Sequence, residues 1–286
     1  MKNFFNKYKY HALVFFAVWS FISGFKLFYI NFGKPNGLAE KYPLFLLNIA
    51  LIAIYAIPLI LLARYLAKRF EISKKVVALS WIMGVTASFY FAGFGHLIAG
   101  IFWLKIVNPP EAFLNDWGAA LSGPFAEEFG KGLTILIVLL LLKKLDLKHA
   151  LVSGMIVGLS FQIIEDCIFT FQGVFVAKAD GFSTLIERIV HAGGSHWTFS
   201  LLFAIGMVAL IAKNTGFTKL QGVYWLFMGV FTHFLVNSPF NEGIDSKTGV
   251  VTVLILTFNL CLAIAAINSV DKLEKQKKSE PSFIEG

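Results

Sequence analysis

Glu127 and Glu128 stand side by side in a stretch that is otherwise fit to cross a membrane, residues 118–142. A charged side chain at the centre of a membrane helix costs about 2.5–3.5 kcal/mol on insertion scales, so ionisable groups there mark a functional site by default. Adjacent carboxylates also repel one another. Lys131 follows Glu127 by four residues and Glu128 by three, so on a helix it can reach either carboxylate. Glu165 and Asp166 form a second acidic pair, about 100° apart around a helix. Arg188, His191 and His196 cluster near the start of a further apolar run, and His233 and Asn237 share a helical face at i,i+4.

Carboxylates and imidazoles together support two hydrolytic chemistries. A glutamate can act as general base on a water while His or Asn steadies the oxyanion. Alternatively, His and Glu can hold Zn²⁺, which brings the pKa of its bound water to about 7. The same carboxylates can instead relay protons or cations in a transporter. The plainer reading of the glutamate pair is a structural ion pair with Lys131, and that of His96 an interhelical hydrogen bond. No His-Glu-x-x-His run is present. Gly158-Leu-Ser160-Phe matches a short serine-protease pattern but leaves the glutamates unexplained.

The elements that position these groups follow from composition. The chain is 57% hydrophobic and 15% charged, against about 25% charged in soluble domains, and its mean hydropathy is +0.72. Lipid demands internally paired backbone, and long apolar runs meet that demand as helices. The expectation is an all-α polytopic transmembrane bundle of about eight spans, near 11–31, 43–63, 76–104, 119–142, 149–175, 189–212, 219–240 and 249–268. Residues 1–270 form a single transmembrane domain with a motif-bearing core at about 118–240, and 271–286 read as a flexible cytoplasmic tail.

The net charge of +8 is topological and does not point to nucleic acid. Alternate gaps between these spans, with the two ends, carry 17 Lys or Arg on one side and 6 on the other. The positive-inside rule then places both termini in the cytoplasm. Cys167 and Cys261 fall in spans and suggest neither a disulfide nor a thiolate metal site. The N-terminal apolar run lacks a small-residue cleavage site and reads as an uncleaved first span.

Punctuation is sparse. Asn108-Pro-Pro-Glu111 breaks the chain after the third span, Pro124 is placed to start or kink the fourth, and Gly193-Gly194 to interrupt the sixth. Gly154-x-x-x-Gly158 allows the fifth span to pack closely on a neighbour. Given the alternation of spans, all four polar sets fall in the outer half of the bilayer. They can converge on one pocket open to the external side.

The ordered pattern Glu127-Glu128-Phe-Gly-Lys131, Phe161-x-x-x-Glu165, Arg188 with His196-Trp-Thr198, and His233-x-x-x-Asn237 resembles the PrsW intramembrane proteases. These are relatives of the CAAX prenyl protease and bacteriocin-processing superfamily. The resemblance covers roughly residues 120–240. It implies an enzyme of the bacterial cytoplasmic membrane that cleaves membrane-anchored proteins, such as anti-sigma factors, near the external face. Members are described both as metalloproteases and as glutamic-type proteases, so a Zn²⁺ enzyme and a metal-free one both stay open. Carried onto this chain, Glu127 is the general base. Glu128, Glu165, His196 and His233 orient it or bind zinc, Asn237 supports the oxyanion, and Lys131 tunes the glutamate pair. Arg188, His191 and Asp166 are accessory. Asp166 stands where members often have Asn, and its extra negative charge favours a cation. The alternatives are a proton- or cation-coupled transporter, for which no internal repeat is visible, and a non-proteolytic scaffold or immunity protein.

Overall fold

The computed structural model describes residues 2–32, 39–177, 180–191, 195–241 and 249–279. Ten α-helices follow in order: α1 (Lys2–Phe32), α2 (Tyr42–Arg69), α3 (Lys74–Val85), α4 (Ala87–Ile101), α5 (Glu111–Leu141), α6 (Leu147–Phe171), α7 (Phe182–His191), α8 (His196–Ile211), α9 (Lys219–Asn237) and α10 (Val250–Ser279). No strand occurs among the described residues. Wider π turns at Phe102–Val107 and Gln172–Val176 extend α4 and α6.

Among the described residues, five segments are long and apolar enough to cross a membrane: Tyr8–Phe32, Ala39–Arg69, Lys74–Val107, Leu147–Val176 and Val250–Ser279. The others differ for physical reasons. α5 carries Glu127, Glu128 and Lys131 within five residues. α8 is apolar, but its 16 residues reach only about 24 Å at 1.5 Å per residue, short of a hydrocarbon core of about 30 Å.

The elements depart from the sequence expectation at several places. The stretch 76–104 is two helices, α3 and α4, parted at Thr86, whose hydroxyl donates to Ile82 O instead of leaving that carbonyl to the ladder alone. α5 begins at Glu111 and runs through Pro124, so the proline neither starts the helix nor ends it. The initiator is Pro110 at the N-cap, after Asn108 in the left-handed conformation. The expected span 189–212 is divided between α7 and α8; the Gly193-Gly194 interruption lies outside the described residues.

α10 runs on into the expected tail. It stays helical through Ser279, where Lys, Glu and Gln are good helix formers. Asp271 pairs with Arg69 (2.8 Å), Glu274 with Lys148 (3.3 Å) and Lys278 with Glu71 (2.8 Å). These contacts bring the end of α2, the start of α6 and the end of α10 to one end of the bundle. Residues 280–286 lie outside the described residues.

α6 is the central helix, buried along almost its whole length and packed against α2, α3, α5 and α8. Its close approach to α8 rests on the Gly154/Gly158 pair. A Cβ on Gly154 would lie 2.7 Å from Ser200 O, and one on Gly158 would lie 2.9 Å from Ser200 Cβ. The small-residue spacing thus does what it suggests, and it sets the position of His196 at the start of α8.

Candidate active site

Glu165 lies 17 residues beyond Lys148 on α6, so the polar cluster sits about 26 Å along that helix from the basic end. Here α4, α5, α6, α7, α8 and α9 enclose a cavity of about 400 Å³, within the usual range for ligand sites. Its lining includes His96, Glu127, Glu165, Asp166, Arg188, His196, His233 and Asn237. The four polar sets expected to converge therefore meet in one place.

Glu128 and Lys131 form the layer behind this lining, and both are fully buried. Lys131 Nζ lies 2.6 Å from Glu128 Oε1 and 3.5 Å from Glu127 Oε2, the reach that the i,i+3 and i,i+4 spacing predicts. It also donates to His196 Nδ1 (2.9 Å) and sits 4.3 Å from the centroid of the Phe161 ring. Glu128 is saturated, since Ser200 Oγ donates to its Oε2 (2.8 Å) and His233 Nδ1 lies 2.9 Å from its Oε1.

These partners fix both imidazoles. An ammonium has no lone pair to offer, so His196 Nδ1 accepts from Lys131 and its Nε2 carries the hydrogen that Glu165 Oε2 receives at 3.0 Å. A carboxylate only accepts, so His233 Nδ1 carries a hydrogen and Nε2 is left as a bare lone pair. The two rings are held edge to face at 5.0 Å, and Phe199 stacks on His233 at 4.7 Å.

Glu127 is held differently. Oε1 lies 3.3 Å from His96 Nε2. Oε2 is buried with no hydrogen-bond partner among the described residues, 3.6 Å from His196 Nδ1 and 3.9 Å from His233 Nε2. Glu127, His196 and His233 each present a ligand atom within 4.8 Å of the others. The zinc set expected from the sequence has Glu128 and Glu165 where this geometry gathers Glu127. Glu128 is turned away to Lys131 and Ser200, and Glu165 is occupied by His196 and Arg188.

Arg188, on α7, bridges Glu165 and Asp166. Its guanidinium also stacks over Phe169 at 4.3 Å. Asp166 also accepts from Tyr55 Oη on α2 (2.5 Å). Asp166 is therefore a neutralised anchor for α7 and α2 and lies outside the possible ligand group. Asn237 lines the cavity but does not hold the His233 ring, since its Nδ2 reaches Ala119 O at 3.5 Å. Gly123 leaves room beside it, as a Cβ there would stand 2.9 Å from Asn237 Nδ2 and 3.6 Å from Glu127 Oε1. The side chain of His191 lies outside the described residues. Ser160 is buried and bonded to its own helix at Val157 O (3.0 Å), away from the cavity lining.

Sequence reasoning missed Tyr55, Gln162, Phe199 and Ser200. Each looks like an ordinary membrane-helix residue, and only tertiary contact reveals it. His96 is the interhelical hydrogen-bonding residue expected, but its partner is Glu127.

Counted by formal charge, four carboxylates (Glu127, Glu128, Glu165 and Asp166) stand against Lys131 and Arg188. That is a formal excess of two negative charges in a buried cluster, a costly state unless countered. The profile for the PrsW family of intramembrane metalloproteases matches residues 73–264. No curated protein and no solved structure matches the chain.

Proposed function

The chain belongs to the PrsW family of intramembrane metalloproteases, and from that premise we propose that its cavity hydrolyses a peptide bond of a membrane-anchored protein, with Glu127 as the group in contact with the attacking water. One observation carries this reading. Glu127 Oε2, 3.5 Å from Lys131 Nζ, is a buried oxygen without a hydrogen-bond partner among the described residues, at the point where two tautomer-fixed imidazoles meet.

The same point fits a divalent cation. The excess of two negative charges matches it. The 3.6 and 3.9 Å separations are close to the distance of about 3.3 Å between ligands 2.0–2.1 Å from a tetrahedral zinc. Glu127 Oε2, His233 Nε2 and, once the Lys131 ammonium gives up its contact, His196 Nδ1 would hold the ion. When bound, it lowers the pKa of a water toward about 7 and polarises a carbonyl.

The remaining work falls to the chain. In the metal-free case Glu127 Oε2 orients the water and takes its proton as the new C–O bond forms; as a ligand it would instead hold the ion beside that water. The same carboxyl returns that proton to the leaving amine as the C–N bond breaks, while Oε1 stays paired at 3.3 Å with His96, whose side chain is 44% exposed. Glu128 and Glu165 keep each imidazole in one tautomer, much as carboxylate partners orient metal-bound histidines. Asn237 supplies an N–H toward the carbonyl oxygen.

Eight spans with both termini cytoplasmic would place this cavity on the external side of a bacterial cytoplasmic membrane. A single-span protein such as an anti-sigma factor would be a fitting substrate. The test compares protein N-termini in membranes from cells making the wild type or Glu127→Gln at matched levels. New external termini on single-span proteins, seen only with the wild type, are expected. Identical termini in the two membranes would overturn the reading.

A further inference from the structure

We propose that Gln162 binds the substrate's backbone, pairing its carboxamide with a peptide group beside the bond to be cut. This rests on the peptidase reading and goes beyond it. Gln162 lies on α6 one turn before Glu165, is 1% exposed, and lines the cavity. Neither its Oε1 nor its Nε2 has a hydrogen-bond partner among the described residues.

Its neighbours make this notable. Glu165, Asp166, Arg188, His196 and His233 all have partners. A buried carboxamide with both ends unmet costs free energy, and more so where lipid excludes water. Such a group is kept where something else satisfies it. A carboxamide offers one acceptor and a donor in one plane, and an extended peptide offers N–H and C=O in the same fashion. It carries no charge, so it adds nothing to the attraction for a cation. Asn237, from α9, is a second carboxamide on the lining, with a 3.5 Å contact to Ala119 O. A chain entering between α6 and α9 would meet an amide from each helix, with Glu127 on the same lining. Fixing the backbone this way aligns the scissile carbonyl without reading side chains.

The experiment uses the full-length Glu127→Gln protein in nanodiscs, which stops turnover. The probe is a fluorescent synthetic peptide with a Leu/Ala membrane helix followed by an extended Ser/Thr/Gly segment. Gln162→Met in that background should bind the probe about tenfold more weakly while melting no lower, because two orphaned polar groups are gone. With Gln162 intact, replacing single probe amides by esters should reproduce the tenfold loss at one position, and the Gln162→Met protein should be indifferent to that ester. Equal affinities for the two proteins, no ester-sensitive position, or no binding by either protein would each overturn the inference; the ester scan stands even if Gln162→Met folds poorly. Binding that depends on Gln162, without cleavage of the same probe by the wild type, would instead sink the peptidase reading alone. Cleavage with Gln162-independent binding would sink only this inference.

Discussion

His233 Nδ1 lies 2.9 Å from Glu128 Oε1, and this turns the ring's other nitrogen toward Glu127. The two adjacent glutamates therefore divide the work. Glu127 faces the cavity, and Glu128 acts from behind by holding an imidazole and Lys131. Glu128→Gln keeps the shape but lets the His233 ring change tautomer. Loss of such an orienting partner typically costs 10–100-fold in activity or metal affinity. Glu128→Gln should lower kcat by about that much with KM little changed, whereas Glu127→Gln should leave no measurable turnover. Equal losses in the two variants would contradict the division.

Lys131 bears on folding more than on chemistry. Its ammonium is fully buried against both glutamates and His196. Removing one partner of a buried ion pair strands the other and costs about 3–5 kcal/mol. Lys131→Met should melt well below the wild type in detergent. A melting temperature unchanged in Lys131→Met would show that the glutamates do not depend on the lysine.

Gly158 sets where His196 stands. A Cβ at this position would press on Ser200 Cβ at 2.9 Å and on the backbone of His196. Gly158→Ala should therefore push α8 outward, lowering turnover at least tenfold while the protein still inserts. Full activity in Gly158→Ala would mean that α8 gives way without moving the site.

Much of this site is legible in the chain because membrane insertion penalises charge. Glu127, Glu128, Lys131 and Glu165 stand out against apolar neighbours, and helical spacing alone puts Lys131 within reach of both glutamates. Span alternation brings the four polar sets to one depth, and the cavity gathers them. Helical spacing alone could not say which glutamate faces inward, because i and i+1 point about 100° apart and the packing of α8 and α9 decides it; that assignment comes from the family resemblance. Gln162 and Ser200 escaped because an uncharged polar residue in a membrane helix is cheap enough to have no function. The break at Thr86 and the helical course of 271–279 escaped because each depends on tertiary contacts, α10's being ion pairs to Arg69, Lys148 and Glu71.

Asp146 caps α6, the helix that carries Gln162 and Glu165. It accepts from His149 N (3.1 Å) and lies 2.8 Å from His149 Nδ1. Burial pushes this carboxyl up, but the side-chain and backbone bonds from His149 outweigh it and hold it below its ordinary value. A group depressed in the folded state adds stability that is present above its unfolded pKa, about 3.9, and is lost as pH falls through the folded value. Asp146→Ala should cost about 1 kcal/mol, the usual worth of an N-cap, at pH 7. The gap between variant and wild-type melting temperatures should close as the pH is taken below 4. A gap independent of pH would assign the loss to helix propensity instead of the cap.

The charge imbalance around Glu127 gives a prediction that does not need a substrate. Two uncompensated negative charges and three converging ligand atoms should bind a divalent cation in the folded state alone. Ligand at a hundred times its dissociation constant adds about 2.7 kcal/mol of stability. Purified protein stripped with a chelator should melt lower, and adding back Zn²⁺ should restore it with about one ion per chain by mass spectrometry. His233→Ala should show neither the shift nor the bound ion, because it removes a ligand and leaves Glu128 with Lys131 and Ser200. If stripped and Zn²⁺-loaded wild type melt together and carry no ion, Glu127 Oε2 serves water directly.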